Sequence, residues 1–157
     1  MEKDFSISII IPVYNEEESI GQVVRDVKNT MSKTSYSYEL LVIDDASGDK
    51  TSIIAQQAGA DVIRRKVNGG SGAARKTGIL ASKGDVIVML DGDGSYDHTL
   101  IPEMLSYFPE YDQVNGARLS EAGTVKFLRV PAKWALKKIA TILSGVSIPD
   151  LNTGLKA

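Results

Sequence analysis

Residues 84–96 read Gly84-Asp-Val-Ile-Val-Met-Leu-Asp-Gly-Asp-Gly-Ser-Tyr96. Val86 to Leu90 is an unbroken apolar run with β-branched side chains, the pattern of a strand buried on both faces of a parallel sheet. Asp91 and Asp93 follow at once, with only Gly92 between them. Open α/β sheets bind ligands in the crevice beyond the carboxyl ends of their strands, so both carboxylates are delivered into one small volume there. Like charges that close are costly unless a cation sits between them. Glycines at 92 and 94 let the backbone bend tightly and let a ligand come near. The stretch is expected to form a divalent-metal and phosphate site, with ordinary Asp-Gly turn chemistry as the plain alternative.

Two other motifs begin in a similar way. Asp91-Gly92-Asp93-Gly94-Ser95 looks like the nucleophile motif of haloacid-dehalogenase-type phosphatases. That motif usually opens its domain and needs a later lysine and a further acidic pair after another strand, and the remaining residues lack that pair. An EF-hand loop needs Gly at its sixth position and Glu at its twelfth. Tyr96 and Pro102 stand there instead, which excludes it.

Outward from this stretch, the chain alternates strands with helices. Phe5 to Val13 reads as a first strand, rich in isoleucine and closed by Pro12. Glu16, Glu17 and Glu18 suit a helix's first turn, and Ile20, Val23, Val24, Val27 and Met31 recur at helical spacing. Tyr38 to Ile43 is a second strand ending in Asp44 and Asp45. A helix over 50–58 stops at Gly59, and Val62 with Ile63 forms a short third strand. After Asn68-Gly-Gly-Ser-Gly72 a helix runs over 73–81. Beyond Leu90, a helix over 99–108 carries Pro102 in its first turn, 112–118 reads as a strand, 130–143 as a helix and 145–157 as turns. Such alternation predicts a doubly wound parallel sheet covered on both faces, a Rossmann-like α/β domain.

Composition narrows the chemistry. The chain has 157 residues, 43% of them hydrophobic and 24% charged, as in globular domains with a real core. With 18 basic and 20 acidic residues the net charge is −2, which gives no nucleic-acid signal. There is no cysteine, so disulfides and thiolate metal sites are excluded. The one histidine, His98, argues against a His-rich zinc site or a Ser-His-Asp triad and reads as a loop residue. The first residues lack the apolar core of a signal peptide, and no apolar run approaches the roughly 20 residues that span a bilayer. The expected location is cytoplasmic.

Four pieces stand in order: Ile9-Ile-Ile-Pro-Val-Tyr-Asn-Glu-Glu17, Val42-Ile-Asp-Asp-Ala-Ser-Gly-Asp49, Gly69-Gly-Ser-Gly-Ala-Ala-Arg75 and Val88-Met-Leu-Asp-Gly-Asp93. Together they resemble the nucleotide-sugar-binding half of family 2 glycosyltransferases, which have the GT-A fold, a three-layer α/β/α sandwich around a mostly parallel sheet. A fifth piece, Ile148-Pro-Asp-Leu-Asn-Thr-Gly154, looks like the acceptor-side motif of the polyprenyl-phosphate sugar transferases, the group of dolichyl-phosphate mannose synthase. The resemblance covers nearly the whole chain. It implies one catalytic domain over 1–157, cut short at its C-terminal end, because such proteins continue past this motif.

The resemblance also implies roles. Pro12, Tyr14 and Glu16 match nucleoside contacts, and Asp44 and Asp45 match a carboxylate that accepts from base or ribose, Asp45 above all, with a turn cap as the alternative for Asp44. The glycine loop leads into a helix N-terminus that favours an anion, yet it is neither a dinucleotide fingerprint nor a Walker loop. Arg75 matches the basic residue that follows it. Asp91, Gly92 and Asp93 form the Asp-x-Asp motif, with Asp93 ligating Mg2+ or Mn2+, Asp91 reaching ribose or a metal-bound water, and Ser95 where some relatives place a further ligand. Arg118 and Arg129 match acceptor-phosphate or diphosphate contacts, and Lys133, Lys137 and Lys138 form a solvated or membrane-facing helix side. Asp150 is the candidate catalytic carboxylate: a base for an alcohol acceptor, or a positioning group for a phosphate acceptor, which needs no base. The implied activity is metal-dependent, inverting transfer of a hexose from a UDP- or GDP-sugar to an acceptor, by resemblance a polyprenyl phosphate, with peripheral membrane contact in the full-length protein. A non-catalytic nucleotide-binding module is the rival reading, followed by the phosphatase.

Overall fold

The computed structural model describes residues 5–116 and 155–157. Chain contacts divide the protein into two units, Met1–Asn115 with Gly154–Ala157, and Gly116–Thr153. The expected helix over 130–143, and the last residues of the expected strand over 112–118, lie outside the described residues, as do Arg118, Arg129 and Asp150.

Four strands, β1 (Ile7–Val13), β2 (Tyr38–Asp44), β3 (Asp61–Arg64) and β4 (Val86–Met89), form one parallel sheet in the order β3-β2-β1-β4. The helices are α1 (Ile20–Met31), α2 (Thr51–Gln57), α3 (Ser71–Ala81) and α4 (Ile101–Ser106), the last preceded by a 3-10 turn at His98–Leu100. Alternation along β1 divides the core. Ile7, Ile9, Ile11 and Val13 pack with α1, α2, α4 and Val88 on one face. Ile10 packs with Leu41, Ile43 and Ala74 of α3 on the other. The result is three layers, as expected.

Handedness explains which helix lies where. The chain steps from β1 to β2 to β3 in one direction, then returns across the sheet to β4 on the far side of β1. Right-handed crossovers taken in opposite directions place their helices on opposite faces, so α3 is the one helix among the described residues on its face, against β1 and β2. Gly78 lets α3 lie close to the sheet: a Cβ there would come within 2.4 Å of Ile10 Cγ2. Gly84 does the same for the entry to β4, since a Cβ there would meet the Ser8 nitrogen at 2.5 Å. The buried Ser8 hydroxyl accepts from the Gly84 N–H at 2.8 Å and donates to Glu39 Oε1. Burial pushes the Glu39 carboxyl up, but the Ser8 hydroxyl and the N–H and charge of Lys83 outweigh it and hold the group below the ordinary carboxylate range.

Some boundaries differ from the sequence reading. α1 begins only at Ile20, because Glu16, Glu17 and Glu18 belong to the preceding loop. Pro12 lies inside β1 rather than ending it, at a level where pairing with β4 is already over. The expected strand over 112–118 contributes a bridge at Asn115, and the turn-like tail pairs instead: Lys156 bridges Met89 and Asn115 antiparallel. The sheet is therefore mostly parallel, with an antiparallel addition beside β4.

Candidate functional site

The order β3-β2-β1-β4 reverses between β1 and β4, and a crevice opens at the strands' carboxyl ends at such a switch point. A cleft of about 510 Å³ lies there, lined by Pro12 and Val13 of β1, Tyr14 and Glu16 of the loop after it, Asp45 just past β2, Asn68 and Gly70 of the glycine loop, Ser71, Ala74 and Arg75 of α3, and Asp91, Gly92 and Asp93 of the β4 loop. Eight of the residues singled out from sequence thus meet in one place: Pro12, Tyr14, Glu16, Asp45, Arg75, Asp91, Gly92 and Asp93. Tyr14 is 51% exposed, so its ring is presented rather than buried in the core.

The wall carrying Tyr14 and Glu16 is built by cross-links between the loops that follow β1 and β2. The Glu16 N–H donates to Thr51 Oγ1 at 2.8 Å, and that hydroxyl donates on to Asp49 Oδ1. Asn15, at a positive φ of 55°, donates its N–H to Ser47 Oγ and accepts from the Gly48 N–H, each at close to hydrogen-bond length. Burial raises the Asp49 carboxyl, yet the hydroxyl and N–H of Thr51 and the N–H of Glu17 bring it below its ordinary value. Ser47 and Thr51 are buried, and sequence reading gave them no role. Their signal was the Ser-Gly-Asp-x-Thr run itself, which reads only as a turn without the partner loop.

Asp44 requires a correction. It is 0% exposed and does not line the cleft. Its carboxylate accepts from the Ser47 N–H at 2.8 Å and from the Ser52 hydroxyl, with Arg64 Nε at 3.6 Å, so it fastens the β2 loop from below. Parallel pairing turns adjacent residues to opposite faces, and the first acid of the pair faces in. Asp45 does reach the cleft, but its carboxylate is partnered by Arg65 and by the N–H groups of Gly69 and Gly70, the latter at 2.7 Å. Two amides of the glycine loop therefore hold the protein's own anion. Gly70, with φ 81°, is the N-cap of α3, a conformation in which a side chain would be strained. Asn68, which sequence reading passed over, lines the cleft and accepts from the Gly70 N–H at 3.1 Å.

Arg75 projects from one turn into α3 and pairs with Asp91, Nη2 to Oδ1 at 2.9 Å. Each side chain is about one-third exposed, at 31% and 33%, so the pair remains open to a ligand. Its Nε is buried and, among the described residues, has no hydrogen-bond partner. Asp93 is exposed, and its Oδ1 accepts from the Ser95 N–H at 2.9 Å. Ser95 itself does not line this cleft. It lies along a neighbouring cavity of about 450 Å³ with Gln22, Asp26, Tyr96, Asp97 and His98, to which Asp91 also contributes. Nor is Gly92 bare in order to admit a ligand: a Cβ there would lie 2.4 Å from Val13 Cγ1, so the glycine lets the loop press on β1.

A sequence model described as glycosyl transferase family 2 matches residues 8–145. The chain belongs to glycosyltransferase family 2. Its relatives in the family include a dolichyl-phosphate hexose transferase of Haloferax volcanii, 31% identical over 96% of this chain and 65% of that protein. A dodecaprenyl-phosphate galacturonate synthase of Rhizobium johnstonii is 30% identical over 98% of this chain and 48% of that protein. Among solved structures, glucosyl-3-phosphoglycerate synthase of Mycobacterium tuberculosis, in complex with Mn2+, UDP-glucose and phosphoglyceric acid, superposes with a TM-score of 0.74 at 25% identity, covering 98% of this chain and 56% of that one. The architecture is the GT-A fold. The chain spans about half to two-thirds of the length of the curated relatives it matches. No helix of the described residues is long and apolar enough to cross a membrane.

The donor set also fits the cation expected from this family. Asp91 and Asp93 supply only carboxylate oxygens, which suit Mg2+ or Mn2+. Among the described residues no third acid or histidine completes an all-protein cage. A cation that bridges substrate phosphates needs only one or two protein carboxylates.

Proposed function

We propose that this chain carries out metal-dependent, inverting transfer of a hexose from a nucleotide-diphosphate sugar to a polyprenyl phosphate. The observation that carries the reading is the convergence, at one switch-point cleft, of Tyr14 and Glu16 after β1, Asp45 after β2, Arg75 from α3 and the two acids after β4. Tyr14 offers an exposed ring for the base, and Glu16 and Asp91 offer carboxylates to ribose hydroxyls. Arg75 brings a part-exposed guanidinium to the diphosphate side, and such a group can bond phosphate oxygens in pairs. Asp93, with Asp91, would hold Mg2+ or Mn2+, which when bound offsets the charge that develops on the departing diphosphate.

The acceptor phosphate is already ionised near neutral pH, so its oxygen attacks the anomeric carbon without a general base. The new C–O bond forms on the face opposite the nucleotide. The bond from that carbon to the diphosphate oxygen breaks with its electron pair, which inverts the centre and releases UDP or GDP. Asp150 in this reading positions acceptor or metal, and Arg118 and Arg129 hold phosphate charge. The polyprenyl acceptor is supported by the names of the relatives, and a lipid substrate of that kind would bring the protein to a membrane surface. The whole chain is taken as one catalytic domain.

Calorimetric titration of UDP and of GDP, with and without Mn2+, into the parent chain and Asp93→Ala tests this. Binding should need metal, favour one base and vanish in Asp93→Ala. Failure of both nucleotides to bind in every condition would refute the site.

A further inference from the structure

Ser19 is the N-cap of α1, where a serine ordinarily accepts a hydrogen bond from an N–H two or three residues on. No such bond forms. The hydroxyl instead lies 2.9 Å from the Gly92 carbonyl oxygen and 2.9 Å from Glu16 Oε2, with the Glu16 carbonyl oxygen farther off at 3.4 Å. One O–H carries one proton, so it serves one of these acceptors at a time. The two nearer acceptors belong to different loops of the cleft: Glu16 to the one that follows β1, Gly92 to the one between Asp91 and Asp93. Gly92 is pressed against Val13 of β1, so its position is set by packing and the orientation of its peptide is what remains to be set.

We infer that Ser19 is a positioning residue that couples nucleoside occupancy at Glu16 to cation affinity at Asp91 and Asp93. The inference rests on the nucleotide-sugar reading above. In the empty cleft the charged Glu16 carboxylate draws the Ser19 proton, since a charged acceptor makes the stronger bond. A nucleoside whose hydroxyl donates to Glu16 satisfies that carboxylate, and the Ser19 O–H rotates to the Gly92 carbonyl. That bond fixes the peptide leading to Asp93, whose Oδ1 is already held by the Ser95 N–H. A carboxylate ordered in advance loses less freedom when it takes a cation. Linkage makes the effect reciprocal, so the cation tightens nucleoside binding by the same factor.

The test uses a nucleoside, because it has no phosphate to bridge to the metal and any coupling must pass through the protein. Mn2+ is titrated into the full chain with free Mn2+ read by electron paramagnetic resonance, without and with saturating uridine or guanosine, whichever base the diphosphate titration selects. In the parent the nucleoside should tighten Mn2+ binding about 5-fold or more, the lower end of ordinary coupling. Ser19→Thr, which keeps the hydroxyl, should retain the gain, and Ser19→Ala should lose it. Should Ser19→Ala not melt cooperatively, Glu16→Gln should lose the gain as well, because its neutral amide no longer competes for the proton. A gain that persists in the variants, or that is absent from the parent while Mn2+ and nucleoside each bind, overturns the coupling and leaves the nucleotide site standing. Absence of binding by Mn2+ and by both nucleosides overturns the coupling together with the proposed function.

Discussion

Gly92→Ala is the sharpest test of how the acidic loop is held. The Cβ it adds would lie 2.4 Å from Val13 Cγ1 and 3.2 Å from Ile11 Cγ2. Comfortable carbon contacts begin near 3.5 Å, so the loop must retreat from β1 by about 1 Å or β1 must yield. The φ of Gly92 is not among the positive ones, so the cost is steric rather than conformational. Overpacking of this kind costs about 1–3 kcal/mol, a loss of roughly 3–10 °C in Tm for a chain of this size. The functional cost should be larger than the stability cost, because the same shift moves Asp91 and Asp93, and a 1 Å misplacement can remove about 100-fold in rate. Urea denaturation and Mn2+-dependent nucleotide titration measure the two effects separately. Val13→Ala in the Gly92→Ala background makes room for the new methyl, so the double variant should be more stable than the sum of the single losses predicts, by about 0.5–3 kcal/mol. Additive losses, or full metal-dependent binding in Gly92→Ala, would show that Val13 does not set the loop and refute the reasoning.

The other predictions concern neighbouring parts. Arg75→Gln keeps a hydrogen-bond donor but removes the charge facing Asp91 and the diphosphate, and should weaken nucleotide-diphosphate affinity roughly 10-fold or more, as expected for a charged hydrogen bond, while uridine or guanosine affinity changes little; equal loss for nucleoside and diphosphate would contradict the phosphate role. Gly78→Leu drives a side chain into Ile10 and should lift α3, with a fall of several degrees in Tm and loss of the cleft; an unchanged melting curve would show that α3 is not seated as described. The carboxyls of Asp85 and Asp97 sit below their usual 3.8, held by the N–H and hydroxyl of Ser6 and by the hydroxyl and N–H of Thr99, and Glu39 sits below 4.5. Groups depressed in the native state stabilise it above their unfolded pKa and lose that contribution as pH falls through the folded value, so urea midpoints should hold from pH 7 to about 5 and drop below about 4. Ser8→Ala should shrink the Glu39 share of that drop, and a midpoint that does not change between pH 5 and 2.5 would contradict the assignment.

Local pattern alone determines much of this protein. Isoleucine-rich and valine-rich runs at β spacing can be satisfied only by strands buried on both sides, and the intervening helices present one apolar stripe each. From these the parallel sheet follows, and from the sheet the edge at which Tyr14, Asp45 and Asp91 must gather. Tertiary structure decided what lay beyond that periodicity. Asp44 and Asp45 are identical in type and adjacent, and the pleat sends one beneath the loop and the other to the cleft. Glu16, Glu17 and Glu18 look like a helix start, but Thr51 and Asp49 of the next loop capture the amides of Glu16 and Glu17. Gly92 reads as room for a ligand and is room for Val13. Ser19 reads as a cap and bonds across to a residue 73 positions away. The last three depend on a partner distant in the chain, and a hydrogen bond or a van der Waals contact of that kind leaves no trace in the spacing of its own segment.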